Sequence, residues 1–191
     1  MKSIVNVFWI SLLLGCNICL AQEDKMFKSL EEALSVPADS VYRLDLSRNK
    51  LTAIPAEIYR FTNLRELDLS KNKLASLPKE FHFKDLRILH LTKNKFEEFP
   101  EAVCQNTSLR NLFMGKNNIK IIPDCISNLK DLIVFDIWFN PIEELPESLT
   151  QLRNLRSLDL SGITFTKEQQ EKWAKMLHWV KIEFEPACKC N

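Results

Sequence analysis

The sequence predicts an α/β repeat solenoid, in which stacked coils each give one short strand to a curved parallel sheet and short helical caps close the ends. Two observations predict it. An asparagine recurs at Asn49, Asn72, Asn94, Asn117 and Asn140, at steps of 23, 22, 23 and 23 residues. Each lies in one frame, L-x-L-x-x-N-x-L-x-x-L-P. The first copy reads Leu44, Leu46, Asn49, Leu51, Ile54, Pro55 and the second Leu67, Leu69, Asn72, Leu74, Leu77, Pro78. Leu89, Leu91, Asn94, Phe96, Phe99, Pro100 follow, then Leu112, Met114, Asn117, Ile119, Ile122, Pro123, and finally Phe135, Ile137, Asn140, Ile142, Leu145, Pro146. A fixed period of this length marks units that bury their apolar side chains only by stacking on one another.

Residues 1–21 come first, with the layout of a secretory leader: Lys2, an apolar stretch from Ile4 to Leu14, and small residues at the exit. Two exits compete. Cys19-Leu20-Ala21 suits cleavage before Gln22, whereas Leu13-Leu14-Gly15-Cys16 resembles a bacterial lipoprotein box with Cys16 as the lipidated residue. Ionic residues begin at Glu23 and Leu14 sits unusually two places before Cys16, so ordinary cleavage is favoured. The mature chain is expected to be exported, with no membrane insertion and at most a lipid anchor.

Residues 22–40 form the expected N-terminal cap. Ser29-Leu30-Glu31-Glu32 is a capping-box pattern opening a short helix, and Pro37 stops it. The repeats occupy residues 41–165. Within the second copy, residues 66–70 read as a short strand, Asn72 turns the chain, and Pro78 starts an outer segment with a preset φ and one donor fewer. An asparagine suits the turn because its amide both donates and accepts, where the chain bends and no strand ladder is available. Residues 166–191 form the C-terminal cap and tail. Leu158 and Leu160 begin a sixth coil, but Ile163 replaces the asparagine. Residues 167–177 then read as a helix with Trp173, Met176 and Leu177 on one side, and Val180, Ile182 and Phe184 alternate as a last strand.

These motifs resemble the leucine-rich repeat family in its 22–23-residue form with the L-P ending, over residues 41–165. The resemblance implies a right-handed horseshoe with its sheet on the concave side, and a role in protein–protein recognition. The leader and short caps look most like the small exported bacterial members.

Strand neighbours alternate faces, so the residues between the repeat leucines point out of the sheet. Four columns result: Arg43, Glu66, Ile88, Asn111, Val134, Ser157; Asp45, Asp68, His90, Phe113, Asp136, Asp159; Ser47, Ser70, Thr92, Gly115, Trp138, Ser161; and Arg48, Lys71, Lys93, Lys116, Phe139, Gly162. Ile88, Phe113, Val134, Trp138 and Phe139 are apolar where polarity is expected, and they cluster in the third to fifth coils. Exposed apolar clusters rich in aromatics mark interface centres, with His90, Asp136 and the Lys93–Lys116 pair as a polar rim. A protein or peptide partner is expected there. The alternative is that Trp138 and Phe139 fold over the edge onto Pro141 while Ile88 and Val134 are ordinary strand residues. Asp45, Asp68, Asp136 and Asp159 are expected to pair with neighbours such as Arg43 and Lys71 at little energy. Oxygen ligation of a metal needs convergence that one column does not supply.

Other chemistry is constrained by what the chain carries. Without Lys2 there are 25 basic and 25 acidic side chains, which gives no electrostatic ground for nucleic acid. His82, His90 and His178 fall in different parts of the fold, and no phosphate loop or hydrolase motif accompanies them, so no catalytic residue, cofactor or metal is assigned. Cys104 and Cys125 sit on adjacent coils and are disulfide candidates, although their offsets from the preceding proline differ; two buried thiols are the alternative. Cys188 and Cys190 in the tail pin the cap, fray, or hold a thiophilic metal, the last being least favoured. Asn106-Thr107-Ser108 matches a glycosylation sequon, relevant only to a eukaryotic source. The function class is therefore a non-enzymatic, exported protein-binding scaffold, with a structural or adhesive envelope protein as its rival.

Overall fold

The computed structural model describes residues 25–185. The expected leader, Cys16, Cys188 and Cys190 lie outside the described residues. Eight strands form one open parallel sheet in chain order: β1 (Met26–Phe27), β2 (Arg43–Asp45), β3 (Glu66–Asp68), β4 (Ile88–His90), β5 (Asn111–Phe113), β6 (Val134–Asp136), β7 (Ser157–Leu160) and β8 (Lys181–Phe184). This is the repeat solenoid that the asparagine period predicts. In each of β2 to β6 the middle residue is buried and its neighbours are half-buried on the other face. The buried residues stay in register, Leu44 against Leu67, Leu89, Leu112, Phe135 and Leu158 in turn. Strand alternation thus sets one row of side chains into the core and two rows onto the concave face.

The asparagines tie coil to coil. Asn117 Nδ2 donates to Leu91 O at 3.1 Å and Met114 O at 2.8 Å, while its Oδ1 accepts from Asn94 N and Phe96 N. Asn72 and Asn140 repeat the pattern, each donating to its own coil and to the preceding one. Buried backbone groups at the bend are satisfied in this way, and the ladder ends where Ile163, buried and apolar, takes the asparagine's place.

Pro55, Pro100, Pro123 and Pro146 each precede a 3₁₀ helix on the outer arc: Ala56–Arg60, Glu101–Gln105, Asp124–Asn128 and Glu147–Gln151. A disulfide joins Cys104 and Cys125 across the second and third of these, with Cα atoms 5.8 Å apart. The second coil is the exception. It is one residue shorter between Pro78 and Leu86 and has only a turn there. Asn106, fully buried in the next coil, donates to Phe81 O and accepts from Phe83 N. Its amide nitrogen is therefore committed to the core, and the sequon reading is corrected: the atom that would carry a glycan is inaccessible in the fold.

The caps extend the sheet. Helix α1 (Leu30–Leu34) starts at Ser29, whose hydroxyl accepts from Glu32 N. The Glu32 carboxylate returns to Lys28 N instead of to Ser29 N, so the predicted reciprocal box is displaced by one residue. Helix α2 (Lys167–Met176) opens with a complete box between Thr166 and Gln169 and buries Trp173. Among the described residues no helix is long and apolar enough to cross a membrane.

Candidate functional site

The concave face carries two groups of side-chain contacts, one running from β2 to β5 and one just beyond the ends of β5 and β6. Arg43 Nε lies 2.8 Å from Glu66 Oε2, and Glu66 Oε1 lies 3.9 Å from His90 Nε2. The His90 ring stacks on Phe113, with centroids 4.5 Å apart and planes 4° from parallel. One step along the strands, Trp138 and Phe139 meet edge to face at 5.4 Å. Lys116 Nζ sits 4.7 Å from the Trp138 ring and 5.4 Å from that of Phe139. Ile88 and Val134 lie in the neighbouring column, on either side of Asn111.

Ile88, His90, Phe113, Val134, Asp136 and Trp138 are all half-buried, and Phe139 is 55% exposed. Of the seven, only Phe139 is freely exposed. The Trp138 and Phe139 rings close over two glycines. A Cβ added to Gly115 would collide with the Trp138 indole, and one on Gly162 would meet the Phe139 ring at 2.6 Å. The chain has three glycines, and two of them stand here. Sequence reasoning placed both in the columns without seeing what they do. Each removes the one atom that would hold a large ring away from the sheet.

Phe139 has φ 49, in the left-handed region where bulky residues are outliers. Arg48, Lys71, Lys93 and Lys116 occupy the same position at φ 54 to 59. The bend before each asparagine imposes this conformation, and four coils fill it with long, flexible bases. An exposed aromatic ring there adds local strain without adding to the core.

The aspartate column has a local role beside the expected ion pairs. Asp45, Asp68 and Asp159 each accept from the backbone N–H two residues on, at Ser47, Ser70 and Ser161, so the D-L-S triplet is a local turn device. Arg43 pairs with Glu66 and Asp45 with Lys28. Asp136 stands apart, because its Oδ1 is buried with no hydrogen-bond partner. Burial, with added repulsion from Asp159 and Glu183, pushes its pKa up to about 6, outweighing the opposite pull of the nearby Trp138 N–H.

A carboxyl whose pKa is higher folded than unfolded favours the neutral form in the fold, so stability falls as pH rises from the unfolded value through about 6. Asp136→Asn is expected to raise stability by about 1 kcal/mol at pH 7.5, after allowance for solvent screening. At pH 4 the gain should vanish. Thermal unfolding at the two pH values checks this; an equal gain at both would assign the effect to packing.

Among the described residues no group of histidine, cysteine and carboxylate side chains is arranged to hold a metal. A family model for the leucine-rich repeat matches residues 39–83 and 62–119. A leucine-rich repeat protein of Leptospira interrogans aligns with a TM-score of 0.71 at 28% identity over 85% of this chain, which spans 47% of that protein. Internalin C2 of Listeria monocytogenes aligns with a TM-score of 0.65 at 19% identity, covering 84% of this chain and 68% of that one. No curated protein sequence matches.

Proposed function

We propose that this chain, a leucine-rich repeat protein, is an exported, non-enzymatic scaffold that binds a protein or peptide partner on the concave face of its middle coils. The observation that carries the reading is the aromatic platform of Phe113, Trp138 and Phe139. Two rings are seated on glycines, and one is held exposed at a strained backbone position where other coils place bases. A spacer with no ligand gains nothing from that arrangement. Interface centres combine a few such aromatic anchors with a charged rim. Here the rim is His90, Lys116 and Asp136, and the unpartnered Asp136 oxygen suits a donor from the partner. The apolar leader of residues 1–21 supports export.

Immobilised protein and its Trp138→Ser variant, challenged with secretion-matched extracts, test the reading. The variant is expected to retain a specific partner about tenfold more weakly, since burying an aromatic anchor contributes about 1.5–3 kcal/mol. The ring covers surface and not core, so the melting temperature should hold. Equal retention by a variant of equal stability would remove the concave site.

A further inference from the structure

A second surface lies on the flank where the chain descends from each asparagine turn. The two positions before the last apolar residue of the frame read Thr52-Ala53, Ala75-Ser76, Glu97-Glu98, Lys120-Ile121 and Glu143-Glu144, and all ten residues are exposed. Core packing in the fourth coil is served by Ile119 and Ile122, which are 1% and 2% exposed. Ile121 between them is 69% exposed, the most of any large hydrophobic residue among the described residues, in a column otherwise filled by alanine, serine and glutamate. It contributes nothing to the core.

Around Ile121 runs an open groove of about 780 Å³, with Phe99, Pro123 and Pro141 as its apolar walls. Glu97, Glu98 and Glu101 line its rim with Lys120 as the one basic lining residue. Glu144 joins them through the parallel bridge it makes with Ile121. Among the described residues none of these four carboxylates forms an ion pair.

We propose that this flank is a second docking surface, for an extended polypeptide segment in which basic side chains bracket an apolar one. The apolar residue covers Ile121 and the prolines, and arginine or lysine on either side meets the unpaired glutamates. Charge complementarity selects this occupant. An acidic rim repels acidic segments, and a purely apolar segment would leave the glutamates beside a dehydrated surface without partners. The surface is independent of the concave platform, since no residue is shared between them.

The probe is a blocked peptide of alternating arginine and leucine, with its glutamate–leucine counterpart as control, titrated into the ¹⁵N-labelled protein. Amide shifts are expected at residues 97–101 and 118–123 with the basic peptide and none with the acidic one. Ile121→Ser should weaken binding about tenfold, as burial of one aliphatic side chain implies. The double variant Glu98→Gln, Glu101→Gln should weaken it and flatten its salt dependence. Both changes lie on the surface, and unchanged melting temperatures confirm an intact fold. Shifts on this flank that Ile121→Ser abolishes uphold the proposal whether or not the concave strands respond. Absent flank shifts, or flank binding that Ile121→Ser leaves intact, overturns it, and neither result bears on Trp138.

Discussion

Asn117→Ala is expected to cost about 4 kcal/mol of folding free energy. The side chain satisfies four backbone groups: the carbonyls of Leu91 and Met114 and the amides of Asn94 and Phe96. Each buried backbone group left without a partner costs about 1 kcal/mol or more. Asn117 is 6% exposed, so water cannot readily replace it. A loss of that size is a large fraction of the roughly 5–15 kcal/mol that holds a domain together. Because neighbouring coils couple only to each other, the lesion should also divide the array, broadening the urea transition and lowering its slope. Asn49→Ala is the control. Asn49 opens the ladder and is exposed, so its replacement should cost less than about 0.5 kcal/mol. Equal losses at the two positions would show that the asparagine column does not hold the coils together.

That contrast shows where sequence was sufficient. The buried leucine row, the asparagine ladder and the concave columns are set by side-chain chemistry that repeats, so position in the frame settles position in space. Features that depend on how unlike residues meet were less readable. The left-handed bend before each asparagine is occupied by Arg48, Lys71, Lys93 and Lys116, which carry no mark of positive φ; only Gly162 does. Gly115 precedes Trp138 by one coil and Gly162 follows Phe139 by one, so the glycines signal rings that close over the backbone, but the direction each ring takes is a rotamer choice made by its neighbours. The D-L-S triplet marks a local role of the aspartates that acts beside ion pairing such as that of Asp45 with Lys28. Cys104 is the fourth residue of its 3₁₀ helix and Cys125 the second of the next, so their approach depends on helix phase, which the frame does not encode. Strand β1 has two residues, too few to show a period.

Asn106→Leu should cost about 3 kcal/mol, although leucine is what the fold uses at the same place elsewhere. The residue closing each outer helix is Phe61, Leu129 or Leu152, all buried, and Asn106 stands in that position in the third coil. The exception has a cause one coil away. The second coil lacks a residue in its outer arc and forms no helix there, so Phe81 O and Phe83 N have no helical partner. Asn106 supplies both, at 3.1 Å and 2.8 Å, and donates also to Ala102 O. Leucine would fill the volume and strand two buried polar groups, a loss that its own easier burial only partly offsets. Asn106→Asp separates shape from hydrogen bonding. The carboxylate still accepts from Phe83 N but cannot donate to Phe81 O, whereas its protonated form can do both. The aspartate variant should therefore be the weaker fold at pH 7 and recover toward wild type near pH 4. Urea unfolding of the two variants at both pH values checks the account, and a leucine variant as stable as wild type would mean that the shortened coil satisfies itself.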